Sequence, residues 1–310
     1  MNVLYVCSAA RCGSTLTDMF LGGHPRATSL GESNFLAKAL RVGEKCSCGA
    51  LLRECEHWQA VYRRLERWGF SVEQPYGFRL WDAVAWTYID KAHQTKSFLA
   101  AVRLRKSWMA ARDLVPAGAR PLVPVPPAYR DALTNKMRLY EAVADAWDKD
   151  VVIDSSKNVR EAVELYQRHP KTVRILLVTR DGRGVYLSRR SSGRDPEESV
   201  RAWLSYYGRA LPLLERHVPP EARMQLKYED IASDPRRAGE RLCDFIGLDF
   251  QESMLRLDGV TRHMVNGNAT RFAPNKGIAL DERWRKDLQP AELSYFNGRG
   301  GPMNAALGYR

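Results

Sequence analysis

The stretch Val3-Leu4-Tyr5-Val6-Cys7 followed by Ser8-Ala9-Ala10-Arg11-Cys12-Gly13-Ser14-Thr15 restricts the fold more than any other part of the chain. A short unbroken apolar run predicts a strand buried on both faces, as in parallel sheets covered by helices. Leu16, Met19 and Phe20 then recur at helical spacing, and Gly22-Gly23-His24-Pro25 ends that helix because proline cannot continue it. This order puts a glycine-containing loop at a helix N-terminus. Converging backbone N–H groups, the helix dipole and the hydroxyls of Ser14 and Thr15 favour a phosphate there.

The same alternation returns later in the chain. Residues 27–30, 151–154, 173–179 and 224–228 predict strands, and 159–169, 184–190, 196–217 and 235–246 predict helices. The expected class is α/β: one domain over residues 1–310, with a P-loop-like parallel sheet flanked by helices. Residues 53–147 break the pattern. Trp58, Tyr62, Leu65 and Trp68 follow a helical period, and Pro116 and the prolines between 121 and 127 interrupt further helical stretches. This region is expected to be a helical insertion.

A net charge of +12 favours anionic partners. The basic residues are spread along the chain without zinc-finger spacing or an RNP-type aromatic run, which argues against specific nucleic-acid recognition. No apolar run approaches the ~18 residues of a membrane span, and no basic leader precedes Val3, so a cytoplasmic protein is expected. Six cysteines in a chain of this length do not make a disulfide scaffold. Cys46-Ser47-Cys48-Gly49, with Cys55 and His57 downstream, has the ligand types of a small zinc site. Its spacing departs from C-x₂-C, and the expectation is a turn carrying free thiols, with no metal.

The first loop lacks the Gly-Lys-Ser/Thr of the nucleotide triphosphatase P-loop, whose lysine reaches the terminal phosphates. Arg11 stands instead two residues before Gly13. Arg11-Cys12-Gly13-Ser14-Thr15-Leu16 resembles the 5′-phosphosulfate loop, R-[SC]-G-[ST]-[ST]-L, of sulfotransferases that use 3′-phosphoadenosine 5′-phosphosulfate (PAPS). The resemblance is to the branch holding bacterial, carbohydrate and tyrosylprotein enzymes. Arg180, ending a predicted strand, with Ser188 eight residues on, resembles that family's 3′-phosphate motif. Independently of the family, an arginine fork at the carboxyl end of a buried strand suits a phosphate dianion, and a serine two helical turns later can reach the same group.

Leu226-Lys227-Tyr228-Glu229-Asp230-Ile231 resembles the family's Y-E-D-L segment. Gly267-Asn268-Ala269-Thr270-Arg271-Phe272, with Lys276 and then Trp284-Arg285, resembles its late loop over the cofactor. The resemblance implies PAPS as sulfuryl donor, held by Arg11, Cys12, Gly13, Ser14, Thr15, Arg180, Ser188, Tyr228, Arg271 and Lys276, with no metal required. It also implies a hydroxyl-bearing acceptor, whether small molecule, carbohydrate or peptide, with residues 53–147 shaping its site.

Sulfuryl transfer needs a base for the acceptor proton, in-line placement, and positive charge where the leaving phosphate develops negative charge. Glu32 is the expected base, because tyrosylprotein-type members carry their catalytic glutamate at the corresponding place after a His-Pro pair, here His24-Pro25. His24 itself, before proline at a helix end, is expected to cap carbonyls. Asp154-Ser155-Ser156-Lys157 resembles the D-S-S-K element of bacterial members. Lys157 and Arg11 are expected to stabilise the bridging oxygen, with Asp154 orienting the lysine or bracing the loop. A magnesium-dependent P-loop kinase would need the missing Walker lysine, and a catalytically silent nucleotide-binding module would need neither Glu32 nor Lys157.

Overall fold

Five segments pair into one parallel sheet in the order β2-β3-β1-β4-β5. The computed structural model describes residues 1–80, 95–272 and 277–310. Its first half runs β1 (Asn2–Cys7), α1 (Ser14–Leu21), β2 (Ala27–Ser29), α2 (Leu36–Val42), α3 (Glu56–Leu65), α4 (Lys96–Asp113), α5 (Pro127–Trp147) and β3 (Val151–Asp154). The second half runs α6 (Val159–Arg168), β4 (Val173–Thr179), α7 (Gly182–Arg190), α8 (Pro196–His217), β5 (Arg223–Lys227), α9 (Tyr228–Ser233), α10 (Pro235–Ile246), α11 (Trp284–Asp287) and α12 (Pro290–Ala306).

β1 lies at the centre, with Val3 beside Val152 of β3 on one side and Val173 of β4 on the other. Alternate side chains go to opposite faces. Val3, Tyr5 and Cys7 share one apolar cluster with Ile175, Leu177, Leu139 of α5 and Leu213 of α8. Leu4 and Val6 join Leu176, Phe20 of α1 and Leu242 of α10 in the other. Both faces are covered, which explains why β1 and β4 read as continuous apolar runs rather than alternating ones.

Of the interruption expected over residues 53–147, the described residues carry α3, α4 and α5, and 81–94 lie outside the described residues. α3 buries Trp58, Val61, Tyr62 and Leu65 and packs along α5. α4 is tied to the layer over the sheet by buried charge: Glu164 of α6 receives Arg112, and Arg120 Nη2 at 2.8 Å. Several boundaries differ from the sequence expectation, two of them for a visible local reason. α7 starts at Gly182, because the Asp181 carboxylate accepts the Arg183 backbone N–H at 2.9 Å and caps the helix two residues early. Tyr228 opens α9 instead of closing β5, with Asp230 accepting the Lys227 N–H at 3.3 Å. No described helix is long and apolar enough to cross a membrane.

Candidate active site

In a parallel sheet every strand delivers its next residues to the same edge, and the chain here fans to both sides of β1, the position where ligands of open α/β sheets collect. Each of the five strands contributes one expected site residue to that edge. Across the sheet they are Glu32 after β2, Lys157 after β3, Arg11 after β1, Arg180 after β4 and Tyr228 after β5.

Gly13 caps α1 with φ of 93° and makes no side-chain cap, so the first-turn amides have only the loop to face. Arg11 is held left-handed as well, at φ 72°, a strained conformation for a residue with a Cβ. A Cβ on Gly13 would lie 2.8 Å from Tyr228 Cδ2, so the tyrosine ring rests directly on the loop and only glycine fits beneath it. The Cys12 thiol is buried and pushed up to about 11 by that burial, which leaves it a neutral packing group. Thr15 Oγ1 accepts the Asn268 N–H at 3.3 Å, so the late loop docks on the phosphate loop.

The arginines crowd together. Arg11 Nε donates to Ser188 Oγ at 2.9 Å, and the Arg180 guanidinium stacks 4.5 Å over the Tyr228 ring. Burial holds Arg11 below the usual arginine range, and the charge of Arg180 adds to the effect. Burial lowers Arg189 likewise, with Arg194 and Arg11 contributing. Among the described residues, Arg189 Nε and Arg271 Nε and Nη1 are buried without a hydrogen-bond partner. Cations pressed together with unspent donors make a site that suits a polyanion. Asp281 supplies part of the compensation, 3.1 Å from Arg180 Nη2, and its hydrogen bond with Arg283 takes its own carboxyl well below the usual range.

Glu32 and Lys157 meet at 2.6 Å between Oε1 and Nζ, with 14% and 21% of their side chains exposed. Two backbone features set them there. Gly31 has φ of 68°, and a Cβ on it would fall 2.4 Å from the Val265 carbonyl oxygen, so a side chain is excluded where 30–32 runs against 265. Lys157 is left-handed at φ 65°, and the Tyr206 hydroxyl donates to its carbonyl at 2.9 Å. Tyr207, next on α8, donates to the Val178 carbonyl at 2.7 Å and accepts the Ala9 N–H at 3.4 Å. His24 is engaged at both ring nitrogens, by the Asp249 carbonyl at 2.9 Å and the Arg26 N–H at 3.0 Å, and has none free for proton transfer.

Asp154 does not touch Lys157. It binds a different lysine, Lys136 of α5, at 2.8 Å, with Tyr140 donating to it at 2.7 Å and Ser33 close by. Lys136 also reaches Ser33 Oγ at 2.5 Å, Ser156 Oγ at 3.1 Å and Glu161 at 3.3 Å, with no exposed side-chain surface. Burial alone raises the Asp154 carboxyl, but Lys136 and the hydrogen bonds outweigh it and hold it below the usual range. This cation therefore braces Ser33 and Ser156, the neighbours of Glu32 and Lys157. Sequence reading missed it, because a lysine in mid-helix ordinarily faces water.

Asp18 was missed as well. It is buried under the same edge and accepts from Ser29 Oγ and Ser155 Oγ, each at 2.6 Å. Burial pushes its carboxyl up to about 7, against the pull of those two hydroxyls. The folded state thus holds this proton more tightly than the unfolded chain, whose aspartate titrates near ~3.9. The associated stability is complete below that value and disappears as pH rises through about 7. Asp18→Asn is expected to remove a loss on the order of 3–4 kcal/mol across that window. Urea unfolding of both proteins from about pH 3.5 to 8 measures it, and parallel curves would contradict the assignment.

Arg11, Cys12, Gly13, Ser14, Thr15, Arg180, Ser188 and Tyr228 form one contiguous rim, with Arg271 beside it; Lys276 lies outside the described residues. Arg271 is buried, with Nη2 on Glu44 Oε1 at 2.5 Å. The architecture is that of a phosphate-loop-like α/β protein whose carboxyl edge gathers arginines. The chain belongs to the sulfotransferase family, whose model matches residues 4–252. Among solved structures it is similar to the sulfotransferase domain from the Synechococcus PCC 7002 olefin synthase, at 18% identity and a TM-score of 0.55, covering 99% of this chain and 94% of that one. It is also similar to the sulfotransferase domain from the curacin biosynthetic pathway, at 16% identity and a TM-score of 0.51, covering 100% and 98%. At these identities the likeness is one of fold. A comparison with curated protein sequences found no match.

Proposed function

We propose that the protein transfers a sulfuryl group from PAPS to an acceptor hydroxyl, with Glu32 as general base and Lys157 and Arg11 stabilising the departing phosphate. The observation that carries this reading is the Glu32–Lys157 pair at 2.6 Å, a carboxylate and an ammonium from two different strand ends, next along the sheet from the phosphate loop. A site that only bound nucleotide would have no use for that pair. The donor supplies an activated sulfuryl group joined to a phosphate leaving group. Everything else is done by the chain: the Arg11–Thr15 loop holds the phosphosulfate end, and Arg180, over the Tyr228 ring, holds the 3′-phosphate with Ser188. The unpartnered donors of Arg189 and Arg271 supply further anion contacts. Glu32 takes the acceptor proton as the acceptor oxygen bonds to sulfur. Lys157 and Arg11 meet the charge left on the phosphate.

Helices α3 to α5 are assigned the acceptor side, because α5 carries Lys136 beneath Glu32 and Lys157. Incubation with PAPS and a panel of small-molecule, carbohydrate and peptide hydroxyl acceptors should release 3′-phosphoadenosine 5′-phosphate. Binding of ATP in place of PAPS would instead sink the reading. Arg180→Ala is expected to weaken 3′-phosphoadenosine 5′-phosphate by about 10- to 100-fold in titration calorimetry while sparing adenosine 5′-phosphate. Equal losses for both nucleotides would remove Arg180 from the 3′-phosphate.

A further inference from the structure

Outside this site, three cysteines and one histidine converge. Cys46 and Cys48 sit in a tight turn closed by the Lys45–Leu51 bridge and by the Cys46 N–H on the Ala50 carbonyl at 2.9 Å. Cys55 precedes the first residue of α3. The fourth member is His263, more than two hundred residues on, and the four ligand atoms all lie within 4.8 Å of one another. His57, the histidine nearest in sequence, is not among them; its ring lies face to face with His263 at 3.7 Å and 14°.

We propose that Cys46, Cys48, Cys55 and His263 bind a structural zinc ion. The spacing fits the ion. With Zn–S near ~2.3 Å and Zn–N near ~2.0 Å, the edges of a tetrahedron are about 3.8 Å between sulfurs and about 3.5 Å between sulfur and nitrogen. Cys48 Sγ and Cys55 Sγ are 3.7 Å apart, and His263 Nδ1 lies 3.7 Å from Cys46 Sγ and 3.3 Å from Cys55 Sγ. The cysteines are all free, and a disulfide between any two would leave the other thiol and the imidazole without a purpose. Four protein ligands close the coordination shell, so the ion has no open position for chemistry.

The surroundings hold His263 for this role. Trp58 Nε1 donates to its carbonyl at 2.9 Å, and Ser47 Oγ donates to the Arg262 carbonyl at 2.6 Å and accepts the Met264 N–H at 2.8 Å. Both flanks of the histidine are thereby fixed to the turn and helix that carry the thiols. The next residue, Val265, gives its N–H to the Leu30 carbonyl at 2.8 Å and takes the Glu32 N–H at 2.9 Å. A zinc clip at this point ties the turn of Cys46, the start of α3 and the strand-like 261–266 segment into the wall that carries Glu32 on one side and Arg271 on the other.

The test uses the intact protein, expressed with zinc supplied and purified without chelator or polyhistidine tag. Elemental analysis should find about one zinc per chain, and X-ray absorption should give three sulfurs near ~2.3 Å and one nitrogen near ~2.0 Å. Cys46→Ser, Cys55→Ser and His263→Gln should each cut the zinc content to below about a tenth, whereas His57→Gln should keep it. Should those variants fail to fold, cobalt exchanged into the unmodified protein still reports the site through the visible bands of tetrahedral thiolate ligation. A reduced wild-type chain that neither holds zinc nor has its thiols protected by added zinc overturns the proposal. So does a native Cys48–Cys55 disulfide, or zinc lost in His57→Gln and kept in His263→Gln. None of these results bears on PAPS binding, so the two proposals fail separately.

Discussion

Glu32→Gln is expected to bind 3′-phosphoadenosine 5′-phosphate as the unmodified protein does and to lose about 10²- to 10⁴-fold in kcat, the range for removing a positioned general base. The substitution is nearly isosteric. The amide oxygen can still accept from Lys157, and the backbone contact from Glu32 N–H to the Val265 carbonyl at 2.9 Å does not involve the side chain. Binding and turnover therefore separate in this variant. Loss of kcat with KM for PAPS unchanged places the proton transfer at Glu32, whereas full activity would move the base elsewhere. Single-turnover measurement on any acceptor found active in the panel is the direct readout.

Lys136→Met is expected to cost about 3–5 kcal/mol of folding stability, as when one partner of a buried ion pair is removed. Against a typical total of ~5–15 kcal/mol this is a large share. The reason is that Asp154 and Glu161 would stay buried without their cation, both having about 1% exposure or less. Denaturant unfolding measures the loss, and removing the carboxylate too, in Lys136→Met/Asp154→Asn, should recover part of it. A fall below about 1 kcal/mol would mean that water reaches the cluster after all. Any folded fraction should also turn over poorly, because Ser33 and Ser156 lose the ammonium that braces them.

The strands, the helices around them and the turn from β1 into α1 were legible because their signals are local. An apolar run of five, a glycine before two hydroxyl residues and a proline after a helix act within a few positions of themselves. The strand-end residues were legible for a related reason: in a parallel α/β sheet each strand must deliver its next residues to one edge, so reading the strands nearly reads the site. What lay in long-range packing was not legible. Asp154 stands three positions before Lys157 and seemed its natural partner, yet it pairs with Lys136 on a helix of the insertion. Cys55 stands two positions before His57, yet the histidine facing it is His263. Proximity in sequence misled in both cases, because a side chain's partner is set by which face of its element is buried.

The sequence by itself determined that Arg11 to Thr15 turn from β1 into α1 and that Arg180 and Tyr228 follow strands, since backbone preference and apolar pattern decide such features locally. Only the tertiary structure decided that Glu32 meets Lys157, that Lys136 underpins both, and that three cysteines face His263. These are contacts between segments brought together when both faces of the sheet are covered, and no local preference encodes them.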